Sequence, residues 1–295
     1  MPRMSIRGFH AVSPPIPVFA ALMHRLTIGL LGLVIAAMPN ASAETTFRVG
    51  VAPHTSARVI VAQYQPLRAA LEQALGVPVV VATARDFTAF ARNALSSNYD
   101  LAITTAHQAA LLRDDAGFVP LLTYRADFEA LAIVAKSGAV DSPSDLRERP
   151  VLGLNPASLV TLWGTNWLRQ QQVRTQPMRY ITASDSVAEL VLSGEAAAGF
   201  VSLANLQRLP EPSRLGLRIL ARSGPIPGRV YLLAPPHLAN EALIRKTLAS
   251  FAESAPAKAY FDENKLGGYR PIGSDELDAM RPYADAVRGQ LREEK

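Results

Sequence analysis

The sequence contains no cysteine in its 295 residues. That excludes a disulfide framework and thiol chemistry, and leaves no residue after an export signal to carry a lipid. No run of lysine or arginine stands out, so nothing points to nucleic acid or an anionic membrane surface. A Gly-x-Ser-x-Gly elbow and a phosphate-binding glycine loop are both missing, which removes the most readable enzyme signatures. Histidine is scarce: only His54, His107 and His237 lie beyond residue 43. His54 and His107 each follow a strand of the first half, but no spacing of His, Asp and Glu supplies a third metal ligand. The expectation is therefore a protein with no enzyme activity, no metal and no cofactor.

Long hydrophobic runs are equally scarce. The one near the start, Leu26 to Ala37, is too short to span a bilayer comfortably. Arg3, Arg7, His10, His24 and Arg25 precede it without an acidic residue, and Ala41-Ser42-Ala43 follows. This three-part pattern predicts a secretory signal peptide over residues 1–43, cleaved before Glu44, and Met23 to Ala43 alone would already be complete. The segment holds three arginines and no acid. The remainder therefore has 27 basic and 25 acidic residues, a net charge of +2 rather than +5. An exported, unlipidated, cysteine-free chain is expected free in a periplasm. About 250 residues remain, enough for one large or two smaller cores.

The rest of the chain alternates between strand and helix. Phe47, Val49 and Val51 mark a first strand, and Val61, Tyr64, Leu67, Leu71 and Leu75 keep helical spacing before Gly76. Pro66 is expected to bend or break that helix. Val77–Val81 reads as a buried strand and Phe87–Leu95 as a helix. Tyr99–Thr104 reads as a strand entering a helix at Gln108. After Pro150 a second strand–helix series begins. Gly224-Pro225-Ile226-Pro227-Gly228 is the stiffest segment and reads as a crossing between domains. The fold class expected is α/β, with two mainly parallel sheets in two lobes and a ligand cleft between them. The expected division is 44–136 for the first part of lobe one, 137–225 for lobe two, and 226–295 for the return with C-terminal helices.

Thr104 and Thr105 end a strand at the mouth of a helix, where hydroxyls and unpaired backbone N–H groups can hold an anion. A plain helix cap would use the same residues. Ser186 and Glu189 have the spacing of a capping box. Trp163 and Trp167, four apart, read as lobe core. Asp185 at a cleft would repel an oxyanion.

In this order and spacing, several segments resemble one known family. They are Phe47-Arg48-Val49-Gly50-Val51-Ala52-Pro53, Tyr64-Gln65-Pro66-Leu67, Tyr99 to Thr104, Ser142-Pro143-Ser144-Asp145-Leu146, Leu192 to Ala198, Ser223 to Gly228 and Gly267 to Ile272. The chain resembles the phosphate/phosphite/phosphonate-type substrate-binding proteins of ABC importers, which have the type II periplasmic binding fold. The resemblance implies a monomer that closes two lobes on a small oxyanion and delivers it to an inner-membrane permease. It also leaves open a sensing role, in which the bound form is presented to a membrane sensor kinase. The family holds ligands by hydroxyls, helix N-termini and a few aromatics. The counterparts here are His54, Thr55, Thr104, Thr105, Ser158, Thr161, Ser184, Asp185, Ser186 and Ser202, with an oxyanion expected between Thr104/Thr105 and Ser158/Ser186. His107 and Tyr124 join the candidates from their own positions after or at the end of first-lobe strands. Aminoalkylphosphonate binders of the family carry a second-lobe histidine. This chain has none between residues 108 and 236.

Overall fold

A computed structural model describes residues 46–293; the expected signal segment lies outside the described residues. The chain forms two β-sheets, each covered by helices on both faces. The first sheet has six strands and holds β1 (Phe47–Val51), β2 (Val79–Ala82), β3 (Leu101–Thr104), β4 (Val119–Tyr124), β10 (Val230–Leu233) and β11 (Tyr269–Arg270). Its order is β11-β4-β10-β3-β1-β2. The second has five strands: β5 (Ala130–Ala135), β6 (Val151–Gly153), β7 (Arg179–Tyr180), β8 (Ala198–Ser202) and β9 (Leu217–Arg222), in the order β7-β6-β8-β5-β9.

Both sheets are mixed rather than mainly parallel. β1 pairs parallel with β2 and β3, and β6 pairs parallel with β7 and β8. β10 runs antiparallel to both β3 and β4, and β5 antiparallel to both β8 and β9. The double passage between lobes causes this. The chain leaves the first sheet after Tyr124, returns at Val230, and the returning strand enters against its neighbours. β5, expected with the first lobe, pairs in the second sheet. The two crossings touch through a bridge between Phe128 and Ile226, within the expected Pro-Gly segment.

Helix α1 (Ala57–Leu75) packs on one face of the first sheet through Ile60, Tyr64, Leu67 and Leu71, a spacing that puts all four on one stripe. Ser56 caps its start, and Gly76, with φ 67°, ends it in the left-handed conformation that glycine adopts freely. Pro66 does not break this helix. It sits on the exposed side with Ala62, so water can reach the carbonyl that the missing N–H leaves unpaired. α8 (Glu241–Ala252) and α9 (Ala255–Glu263) share this face.

The opposite face carries α2 (Phe87–Leu95) and α3 (Ala106–Ala116) together with the C-terminal α11 (Arg281–Glu293). A short α10 (Ser274–Asp278) precedes α11 as a separate helix, because Pro282 cannot continue a helix from the preceding turn but fits the first turn of a new one. In the second lobe, α4 (Leu159–Gln170) stacks Trp163 on Trp167 at 5.9 Å and sets both rings edge-on to Phe200, which is core packing as expected. α5 (Ser184–Leu192) covers the other face through Val187, Ala188 and Val191. The expected capping box at Ser186 does not form. The helix begins three residues earlier than a Ser186 cap requires, with Ala183 at the cap position, so Ser186 already lies in the first turn. Two further short helices, α6 (Leu203–Arg208) and α7 (Glu211–Leu215), follow β8.

Candidate functional site

The lobes meet at two places, and the expected ligand residues divide between them. One is a buried contact between the start of α3 and the loop after β6. Thr104, Thr105, His107, Ser158 and Thr161 come together there, as their strand-end positions dictate. Their polar atoms, however, face mostly inward. Thr104 Oγ1 donates to Gln108 Oε1 at 2.9 Å, and Gln108 passes its own N–H to Phe87 O, within the first lobe. Ser158 Oγ donates to Thr161 Oγ1 at 2.9 Å within α4. Thr105 and Ser158 occupy the N-cap positions of α3 and α4, yet neither accepts a bond from its helix. The Thr105 hydroxyl is buried without a partner among the described residues.

His107 bridges the lobes. Its Nε2 lies 3.0 Å from Ala157 O and must carry the proton, since a carbonyl only accepts. Burial lowers its pKa to about 4, partly opposed by that bond, so the ring is neutral at physiological pH. Its Nδ1 is buried and has no partner among the described residues. From α11, Gln290 Nε2 donates to Pro156 O at 3.3 Å, so the Asn155–Ser158 loop is held from the first lobe at two successive carbonyls. Ala106, Ala109, Ala157, Leu159 and Leu162 fill the surrounding space.

The second meeting place is a groove on the α1/α9 side of the crossings. A cavity of about 450 Å³ is lined by Tyr124 and Phe128 of the first crossing, Ser202 and Leu203 after β8, Arg229 of the return crossing, and Leu266. A smaller one, about 190 Å³, is lined by His54, Thr55 and Gln63. Both share Arg208, Glu263 and Asn264. Arg208 Nη2 reaches across the groove to Asn264 Oδ1 at 2.8 Å.

Four expected residues therefore border the groove: Tyr124, Ser202, His54 and Thr55. Ser202 Oγ accepts from Asn205 N and so also caps α6. His54 Nδ1 donates to Ala52 O at 3.0 Å. Burial first, and Arg229 second, lower its pKa to about 3. His54 and His107 do not share a site, and among the described residues no group of three His, Cys, Asp or Glu could hold a metal. Ser184 and Ser186, in the first turn of α5, border neither cavity.

Sequence reasoning missed Arg229. It lies directly before β10 and is surrounded by phenols. Its Nη1 donates to Tyr64 OH at 3.3 Å and Tyr260 OH at 3.2 Å, and its guanidinium carbon lies 5.8 Å from the Tyr124 ring centroid. Tyr124 OH in turn contacts Tyr231 OH at 2.9 Å and Tyr260 OH at 3.3 Å. Burial raises the Tyr64, Tyr124 and Tyr231 phenols. For Tyr260 burial acts the same way, but Arg229 and the Tyr124 and Tyr64 bonds outweigh it and lower the pKa. No sequence motif joins these residues. The available signal was an arginine ending the Pro-Gly crossing, at a strand end.

The sequence matches the profile of a family described as ABC transporter, phosphonate, periplasmic substrate-binding protein, over residues 49–277. No curated protein matches it. Solved structures share the fold. A Xanthomonas citri protein bound to ATP superposes with a TM-score of 0.70 at 18% identity, covering 84% of this chain and 98% of its own. PhnD1 from Prochlorococcus marinus, in complex with methylphosphonate, gives 0.69 at 12% identity, covering 83% and 99%. SsuA, the periplasmic aliphatic sulphonate binding protein of Escherichia coli, gives 0.59 at 15% identity, covering 83% and 92%. Two sheets joined by two crossings, with strand ends facing across a groove, match the type II periplasmic binding architecture of these structures. The chain belongs to the phosphonate-type family of periplasmic substrate-binding proteins of ABC transporters.

Proposed function

We propose that this protein captures a small oxyanion of the phosphonate, phosphite or phosphate kind by closing its two lobes, and passes it unchanged to an inner-membrane permease. The observation that carries the reading is the groove between the lobes, bordered by strand ends of both sheets and by cationic side chains. Ligands of open α/β sheets sit at such strand ends. Family membership supports a binding role, and the methylphosphonate bound by PhnD1 and the aliphatic sulphonate bound by SsuA agree with an oxyanion. The unpartnered Thr105 hydroxyl and the two helix N-termini near it supply further donors once the lobes part. Closure replaces water around the ligand with fixed donors, and the closed form is the one a permease would recognise.

The test is calorimetry and thermal shift of the mature protein against methylphosphonate, phosphite, phosphate and sulfate, with mass spectrometry of the recovered ligand. A ligand at a hundred times its Kd stabilises the bound fold by about 2.7 kcal/mol, a readily measured rise in Tm. Binding with the ligand recovered intact is the expected result. If none of the four binds while an uncharged or cationic solute does, the oxyanion reading is wrong.

A further inference from the structure

We propose that Arg229 is the anion anchor of the groove and that the ligand is an organic oxyanion, a phosphonate, phosphate ester or sulfonate with an apolar body, rather than an inorganic ion. This inference rests on the oxyanion reading and specifies its site.

Arg229 is half-buried, borders the larger cavity, and pairs with no carboxylate among the described residues. Its described partners are two neutral phenols and one aromatic face. Those contacts orient a guanidinium but do not neutralise it. They also use only Nη1, so the Nε and Nη2 hydrogens have no acceptor among the described residues. A guanidinium fork with one edge fixed and the other unused suits two oxygens of a tetrahedral anion.

The surroundings point the same way. Arg208 and Lys265 border the same cavity, and neither is in an ion pair among the described residues. Three carboxylates also border it. Glu129 is paired with Arg222 at 2.8 Å, whereas Arg270, 3.7 Å from Asp127, is already held by Glu276 at 2.7 Å. Asp127 and Glu263 therefore stand against Arg208, Arg229 and Lys265, which leaves the cavity a net positive field.

Size and wall chemistry name the class. A cavity of about 450 Å³ lies within the range that encloses an organic small molecule, and an inorganic tetrahedral ion would leave most of it to water. Phe128, Leu203 and Leu266 supply apolar wall on which an organic body can rest.

The probes are phenylphosphonate, methylphosphonate and inorganic phosphate, titrated calorimetrically into wild-type protein and into Arg229→Gln, Arg229→Lys and Arg208→Gln. Circular dichroism and unliganded Tm serve as checks on folding. Phenylphosphonate should bind more tightly than phosphate. Arg229→Gln should weaken it about thirtyfold or more, and Arg229→Lys less, because the charge survives and the fork does not. Arg208 is exposed, so Arg208→Gln gives a second reading should the Arg229 variants fail to fold, and it should weaken phenylphosphonate several-fold. Unchanged affinity in a folded Arg229→Gln, or in Arg208→Gln when the former is unfolded, would overturn the anchor while leaving oxyanion capture intact. Phosphate binding as tightly as phenylphosphonate would overturn the ligand class. If no oxyanion binds the wild type, the functional reading and this inference fall together.

Discussion

His107 ties the two lobes together as a neutral imidazole, and that makes stability depend on pH in a calculable way. An unfolded histidine titrates near 6.5, and burial lowers His107 to about 4. Between these values the unfolded chain binds a proton that the native protein does not, so acid favours unfolding. The contribution of His107 is complete above the unfolded value and is lost as the pH falls through 6.5 toward 4. At about pH 5 the loss is about 2 kcal/mol, an appreciable part of an ordinary domain's stability. Replacing His107 with Gln removes the titration and keeps an N–H that can reach toward Ala157 O. The variant should be less stable at about pH 8, since a buried ring is lost, but its further drop on going to about pH 5 should be smaller by about 2 kcal/mol. Urea unfolding of both proteins at the two pH values measures this difference. His54, lowered to about 3, stays in both proteins and cancels in the comparison. An equal pH drop in wild type and variant would refute the buried, neutral bridge.

Two further substitutions test the packing. Gly50 on β1 lies under the Tyr99 ring, where a Cβ would collide with ring atoms, so Gly50→Ala should cost about 1–3 kcal/mol in urea unfolding. Trp167→Ala removes one member of the Trp163–Trp167–Phe200 cluster and should cost about 3–5 kcal/mol, with loss of near-ultraviolet dichroism from the stacked indoles.

Features set by neighbours in sequence were legible, and features set by distant partners were not. Gly76 ends its helix because a left-handed residue is needed there, and Phe87–Leu95 follows Asp86, whose carboxylate caps it through Ala89 N at 2.7 Å. The indole pair at 163 and 167 lay on one helical face whichever lobe received it. β5 lies within 44–136, the expected first part of lobe one, and only its pairing with β8 and β9 reveals which sheet it joins. Thr104, Thr105 and Ser158 were correctly placed at strand ends and helix mouths. What a strand-end position cannot disclose is that Gln108 and Thr161, one helical turn on, take up two of the three hydroxyls. Arg229 was the least legible residue of all. Its setting is made by Tyr64, Tyr124 and Tyr260, which are scattered along the chain and converge only because β4, β10, α1 and α9 pack on one face.

That convergence also bears on what would drive closure. The hydrogen bonds described between the lobes end on neutral acceptors: His107 on Ala157 O, Gln290 on Pro156 O, and Arg208 on Asn264 Oδ1. Such bonds favour the closed form only modestly, because water offers comparable partners when the lobes part. They leave the charge on Arg208 and Arg229 uncompensated as the groove narrows and its dielectric falls. An empty groove therefore closes against a mounting desolvation cost, whereas one containing an anion closes with an attraction that strengthens as water leaves. A ligand shifts the population only by its differential affinity for the two forms, and here that difference comes from charge pairing available in the closed form alone. On this account, raised ionic strength should weaken oxyanion binding through the exposed Arg208 and Lys265 more than through the half-buried Arg229, since screening acts chiefly on charges in contact with solvent. The salt slope of wild-type binding should therefore flatten in Arg208→Gln and persist in Arg229→Lys.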